Sequence, residues 1–233
     1  MGTIRPAILN NCIYFKLDMI KNNDTLNLFS DASMEKKKNS YILNSCYGSI
    51  AVNNDTIIDE YYEKIGDTSV PAAELRGLRC SAILALKYRY NFRVINFFTD
   101  SQNAVLALRD NIMNWRWSEK KQYYVYNDTK YNREIKNQGL IFEIAMMLEE
   151  LEKTNIVNIM HQRGHIERHT QMGEAEECFR RLNNFHHNVD PDVIRYISKY
   201  NSYVDYSTRV SLNNAGRYQD IVSFKPNPNL FIS

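Results

Sequence analysis

The chain predicts an α/β domain built on a five-stranded mixed sheet, its first three strands antiparallel, flanked by helices. Three observations lead there. Short β-branched and aromatic runs succeed one another with tight connections between Leu26 and Tyr62. From Pro71 onward, stretches of helical spacing alternate with single extended runs. Hydrophobic residues make up 44% and charged residues 24% of 233, enough apolar material for a packed core.

The elements follow in order. Residues 1–24 lack a clear period and form an N-terminal extension, either an edge strand around 12–15 or a cap on the fold. Leu26, Leu28 and Phe29 mark a short strand ending at Ser30 and Asp31, followed by the basic stretch 35–39. A second strand covers 46–52, Asn53-Asn54-Asp55 turns the chain, and a third covers 56–62. Thr68 or Ser69 caps a helix with Pro71 in its first turn and Leu75, Leu78, Ala82, Ala85 and Leu86 on its buried stripe. The run 93–99 is a strand closed by Asp100, and Ser101 opens a helix over 102–109. A helix over 138–153 and a strand over 155–160 come next. Asp190-Pro191-Asp192 starts a last helix, and a C-terminal tail of 211–233 follows the 25–210 domain.

Charge and cysteine usage exclude several classes. With 29 basic and 27 acidic residues the net charge is only +2, so nucleic-acid binding must rest on local clusters. No apolar run reaches the roughly 18–20 residues that span a bilayer. The stretch 7–20 is broken by Lys16 and Asp18, so neither signal peptide nor anchor is expected. Cys12, Cys46, Cys80 and Cys178 lie far apart without a CxxC. Reduced thiols and a cytoplasmic location (a host cytoplasm for a viral or phage protein) are expected rather than a disulfide scaffold or zinc ribbon.

The chemistry is carried by the placement of carboxylates. Asp31 ends the first strand, Glu74 lies in the first turn of the first helix, and Asp100 ends the central strand. Carboxylates at adjacent strand ends, with one from a covering helix, can converge on one point. Together they repel and are costly to bury unless a hard cation neutralises them.

Asp31-Ala32-Ser33, Glu74-Leu75 and Thr99-Asp100-Ser101-Gln102 resemble successive signatures of the ribonuclease H family. So do Cys46-Tyr47-Gly48-Ser49-Ile50, Asn114-Trp115-Arg116-Trp117, Ile135-Lys136-Asn137 with Leu140, Met160-His161-Gln162-Arg163-Gly164-His165 and Asn201-Ser202-Tyr203-Val204-Asp205. Each is weak alone, but an ordered set over roughly residues 25–210 is specific. The resemblance implies a ribonuclease H-like fold and an endoribonuclease that hydrolyses the RNA strand of RNA/DNA hybrids. It implies Asp31, Glu74, Asp100 and Asp205 as ligands of two Mg²⁺ ions held about 4 Å apart, with Mn²⁺ as a substitute, and products with 5′-phosphate and 3′-hydroxyl ends. His165 is implied as the mobile catalytic histidine. Ser33, Gln102, Trp115, Arg116, Trp117, Lys120 and Lys121 are implied as nucleic-acid contacts, the last five in a basic aromatic protrusion over 111–136. The hybrid duplex is the expected partner of a monomeric, membrane-independent protein.

The sequence also departs from the family pattern. Thr68 to Ala73 lacks the family's amide and basic residues before the helix glutamate. The glycine-rich turn after the first aspartate is replaced by the basic stretch from Met34 to Ser40, and 166–200 reads as an insertion before Asp205. Taken singly, the residues have plainer roles: Asp31 a turn residue, Glu74 a partner of the helix dipole, Asp100 an N-cap, Asp205 a solvated helix residue. His161, His165 and His169 with Cys178 suggest zinc, but Gly164 interrupts their helical spacing. The functional alternatives are a nuclease of the same fold, such as a resolvase, acting on other structured nucleic acid, and a non-catalytic nucleic-acid-binding module. The Asp-x-Ser segment and the Gly-His loop disfavour the first, and a costly carboxylate cluster disfavours the second.

Overall fold

The computed structural model describes residues 14–36, 43–66, 68–111, 115–118, 123–126, 135–164, 172–185 and 188–213. In chain order come β1 (Tyr14–Phe15), β2 (Thr25–Lys36), β3 (Leu43–Asn53), β4 (Thr56–Gly66) and α1 (Val70–Tyr88). Next are β5 (Val94–Thr99), α2 (Gln102–Leu106), β6 (Trp115–Ser118), β7 (Tyr123–Tyr126) and α3 (Gln138–Glu152). β8 (Ile156–His161), α4 (Met172–Leu182), β9 (Asn188–Val189) and α5 (Pro191–Asn213) complete the chain. The main sheet has the order β4-β3-β2-β5-β8, with β2, β3 and β4 antiparallel and β2, β5 and β8 parallel. This is the mixed five-stranded sheet expected.

Strand alternation divides the core between two faces. Leu26, Leu28, Ile95 and Phe97 meet the apolar stripes of α1 and α3, where Leu78, Ala82, Ile144 and Leu148 are fully buried. Phe29 and Phe98 point the other way and stack at 4.9 Å. On that face they meet Tyr196, Ile197, Tyr200 and Val204 of α5. The same face holds a buried asparagine ladder. Asn158 Nδ2 donates to Asn96 Oδ1, and Asn96 Nδ2 to Asn27 Oδ1, each at 2.9 Å. The three residues are in register across β2, β5 and β8.

Local chemistry explains the boundaries. Asn54 takes φ 53° in the β3–β4 turn, a left-handed conformation that asparagine tolerates. Ser69 caps α1 by accepting from the Ala72 amide at 3.4 Å, with Pro71 in the first turn.

Several expectations need correction. The first strand does not end at Asp31, because its pairing with β3 continues to Lys36 opposite Leu43. Only the parallel pairing with β5 stops there, at Ser30 opposite Thr99. The expected helix 102–109 is a short α2 followed by a wider π turn over Ala107–Asn111. The described part of the 111–136 protrusion contains a hairpin of β6 and β7 packed on α3, with Trp115 edge-on to Phe142 at 5.6 Å and Val125 fully buried. Of the two readings of the N-terminal extension, its described residues fit the cap and not an edge of the main sheet: β1 pairs in parallel with β9, and Phe15 and Ile20 are core residues. Cys12 lies outside the described residues. α5 runs to Asn213, past the expected start of the tail at 211. No helix among the described residues is long and apolar enough to cross a membrane.

Candidate active site

The carboxylate cleft opens where β2 and β5 cease to pair. Asp31 lies on the same face of β2 as Asn27 and Phe29, so it points toward α5, which brings Asp205. Asp100 follows the last residue of β5, and Glu74, in the second turn of α1 and not the first as expected, comes from the opposite face. Gly77 permits that approach. A Cβ there would stand 3.0 Å from the Asp31 carbonyl oxygen and 3.4 Å from that of Gly48, so a side chain would lift α1 off the strands and carry Glu74 with it. The four carboxylates line one cleft of about 480 Å³, together with Ala32, Ser33, Met34, Glu35, Arg209 and Leu212.

The electrostatics are those of crowded, half-desolvated acids. Burial, then the charge of Asp100, raises Asp31 well above the ordinary carboxylate range, although its Oδ1 accepts the Ala32 amide at 2.6 Å. Burial, then the charge of Glu74, pushes Asp100 up to about 6. Protein donors hold the other two acids. Ser101 Oγ donates to Glu74 Oε2 at 2.6 Å, and Arg209 pairs with Asp205 at 2.8 Å. In these orientations no group of three His, Cys, Asp or Glu side chains among the described residues is close enough to enclose an ion. The donor set is nonetheless all oxygen, anionic and mutually repelling, the chemistry that suits a hard divalent cation. Asp31, Glu74, Asp100 and Asp205 are the residues that fit it.

The other expected site residues are distributed unevenly. Ser33 lines the cleft but is 8% exposed, with its hydroxyl 2.8 Å from that of Thr208. Gln102 is exposed at the start of α2, beside the cleft residue Asp100. Trp115 is half-buried against α3. Arg116 and Trp117 belong to β6, but their side chains fall outside the described residues, as do Lys120, Lys121 and His165 altogether. His161 is buried at the end of β8 with its Nε2 3.0 Å from the Asp100 carbonyl oxygen, and His165 and His169 of the weighed zinc set lie outside the described residues. Sequence reasoning missed Arg209 and the Ser101–Glu74 bond. The only available signals were an arginine one helical turn after Asp205 and a serine directly after Asp100.

The RNase H family model matches residues 23–178, more than half of the chain. The chain has no match among curated proteins. Among solved structures it is similar to the native prototype foamy virus protease–reverse transcriptase, with 16% identity and TM-score 0.49, over 71% of this chain and 21% of that one. It is similar to the RNase H domain of the same virus in solution, with 14% identity and TM-score 0.43, over 71% and 94%. RNase H1 from the halophilic archaeon Halobacterium salinarum NRC-1 gives 15% identity and TM-score 0.40, over 66% and 93%.

Proposed function

Since the chain belongs to the RNase H family, we propose that it is an endonuclease that hydrolyses the RNA strand of RNA/DNA hybrids. One observation carries the reading: four carboxylates, from residues 31, 74, 100 and 205, line a single cleft on a sheet of that family. Asp31, Glu74, Asp100 and Asp205 hold the divalent ions, Mg²⁺ by preference with Mn²⁺ as a substitute. When bound, such ions supply Lewis acidity at the scissile phosphate and leave 5′-phosphate and 3′-hydroxyl ends.

The protein's own residues perform the remaining tasks. Asp31, raised by burial and the charge of Asp100, and Asp100, raised by burial and the charge of Glu74, favour an arriving cation because it relieves both penalties. Ser101 orients Glu74. Arg209 lies in the cleft beside Asp205, where its guanidinium offsets part of the repulsion felt by an incoming phosphodiester. His165, near the cleft in sequence, moves a proton or aids product release. Gln102 and the Trp115–Lys121 segment contact the duplex, the basic residues giving a salt-dependent grip.

The test compares cleavage of hybrid, double-stranded RNA, double-stranded DNA and a four-way junction, each with Mg²⁺ and with chelator. Hybrid-selective, chelator-sensitive cut ends bearing 5′-phosphate are expected. Preference for the junction would instead identify a resolvase, and binding without cleavage would identify a non-catalytic module.

A further inference from the structure

β8 ends the order of the main sheet, so the outward N–H and C=O of its residues have no neighbouring strand among the described residues. At His161 a side chain takes the place of a strand. Asn183 Oδ1 accepts the His161 amide at 2.8 Å, and Asn183 Nδ2 donates to the His161 carbonyl at 2.7 Å. One planar amide thus supplies the acceptor and the donor that a paired strand would offer. On the opposite edge the Gln162 amide donates to the Thr99 carbonyl at 2.9 Å. The main chain at the end of β8 is therefore held from both sides.

Asn183 is itself held firmly. It is 3% exposed, and its Nδ2 also donates to the Phe179 carbonyl at 2.9 Å. It sits where α4 ends in a left-handed turn, with Asn184 at φ 56° and the Phe185 amide bonded back to the Arg180 carbonyl at 2.9 Å. That turn drives Phe185 into a ring cluster, 5.3 Å from Phe15 and 5.8 Å from Phe179.

From the strand end so fixed, the His161 ring reaches the site. Its Nε2–H donates to the Asp100 carbonyl oxygen at 3.0 Å, and the ring is buried. Three residues later Gly164 passes so close that a Cβ there would stand 2.7 Å from Asp100 Oδ2. Asp100 is thus held through its main chain by His161 and crowded at its carboxylate by the same loop.

We propose that Asn183 and His161 are positioning residues of the carboxylate cleft: the Asn183 amide fixes the end of β8, and the His161 ring carried there holds the Asp100 main chain in place. The inserted segment around α4, together with the N-terminal strand β1 that packs on it, is on this account a buttress for the catalytic aspartate. The inference rests on the proposed function and deepens it.

Histidine variants of matched polarity give the test. In His161→Gln the amide nitrogen replaces Nε2 and still reaches the Asp100 carbonyl, whereas in His161→Asn it stops short. The full-length variants and Asn183→Ala are compared by thermal melting, by calorimetric titration with Mn²⁺, and by kcat and KM on a hybrid. Misplacing a reacting group by about 1 Å costs up to ~100-fold. His161→Asn and Asn183→Ala should therefore lower kcat by about tenfold or more, with KM changed less than about twofold and Mn²⁺ affinity reduced. His161→Gln should recover most of both readouts. The double variant should be no worse than its poorer parent, because both residues act through one connection.

Equal impairment of His161→Gln and His161→Asn, unchanged kcat and Mn²⁺ affinity in both, or losses that multiply in the double variant would overturn the proposal. If Asn183→Ala does not fold, the two histidine variants still decide. A wild-type protein that binds Mn²⁺ but cuts no hybrid would refute the proposed function, while the Mn²⁺ affinities would still settle the positioning role.

Discussion

At Asp100 the costs of assembling the cleft are concentrated. Burial and the facing charges of Glu74 and Asp205 push its carboxyl to about 6, against about 3.9 in water. The folded state therefore binds this proton more tightly than the unfolded chain does. The group's contribution to stability is greatest below about pH 4, falls as pH rises toward about 6, and is flat above that. Asp31 acts in the same direction, while Arg209 opposes it there. The buried His161 ring, held below its ordinary value by desolvation, acts in reverse and costs stability as pH falls below about 6.5. Wild-type curves mix these effects, so the comparison to make is with Asp100→Asn. In chelator, urea denaturation should show the variant gaining on wild type between about pH 4 and 6, to a plateau on the order of 2–3 kcal/mol. Saturating Mg²⁺ should remove the gain. The same variant, and Asp31→Asn, should lose at least about a hundredfold in hybrid cleavage while remaining folded, by an unchanged circular dichroism spectrum; substantial residual cleavage would remove these residues from the mechanism.

Among the elements, the central parallel strands and α1 determine the shape of the site. The ladder of Asn27, Asn96 and Asn158 ties β2, β5 and β8 together, with Asn27 and Asn96 four residues before Asp31 and Asp100. Asn96→Ala would leave Asn27 Oδ1 and Asn158 Nδ2 without their shared partner, a loss of about 2–4 kcal/mol measured by urea denaturation. Asn158→Ala should cost less, since Asn158 Oδ1 makes no hydrogen bond among the described residues. An equal loss at both positions would contradict the ladder reading. Gly77 sets the height of α1. Gly77→Ala should cost about 1–3 kcal/mol through overpacking and depress kcat by displacing Glu74. Glycine-to-alanine gains from helix propensity, about 1 kcal/mol, are too small to offset that.

For the molecule as a whole, two layers meet at one sheet end, and the layer made by β1, α4, β9 and α5 is integral. Phe15 is 4% exposed and lies within the Phe179 and Phe185 rings. Phe15→Ala should cost about 3–5 kcal/mol, which an N-terminal appendage would not show. Net charge is +2, so long-range attraction to a duplex is weak overall. Neutralising Lys120, Lys121 and Lys130 together should weaken hybrid binding and flatten the slope of log affinity against log salt by about two to three. An unchanged slope would place the grip elsewhere.

By itself the sequence determined the sheet, its strand order of appearance, and the identity of the four carboxylates. The sheet follows from alternation, helical spacing and turn residues, and the four carboxylates from the resemblance of the segments around Asp31, Glu74, Asp100 and Asp205 to the ribonuclease H family. Only the tertiary structure decided how far β2 runs past Asp31, that Trp115 packs on α3, and that Asn183 and His161 hold Asp100. Strand ends, close approaches and side-chain bridges depend on partners many residues away. Residues 161 and 183, or 77 and 31, carry no local pattern that announces their contact; it exists because the two faces of the sheet are packed at once.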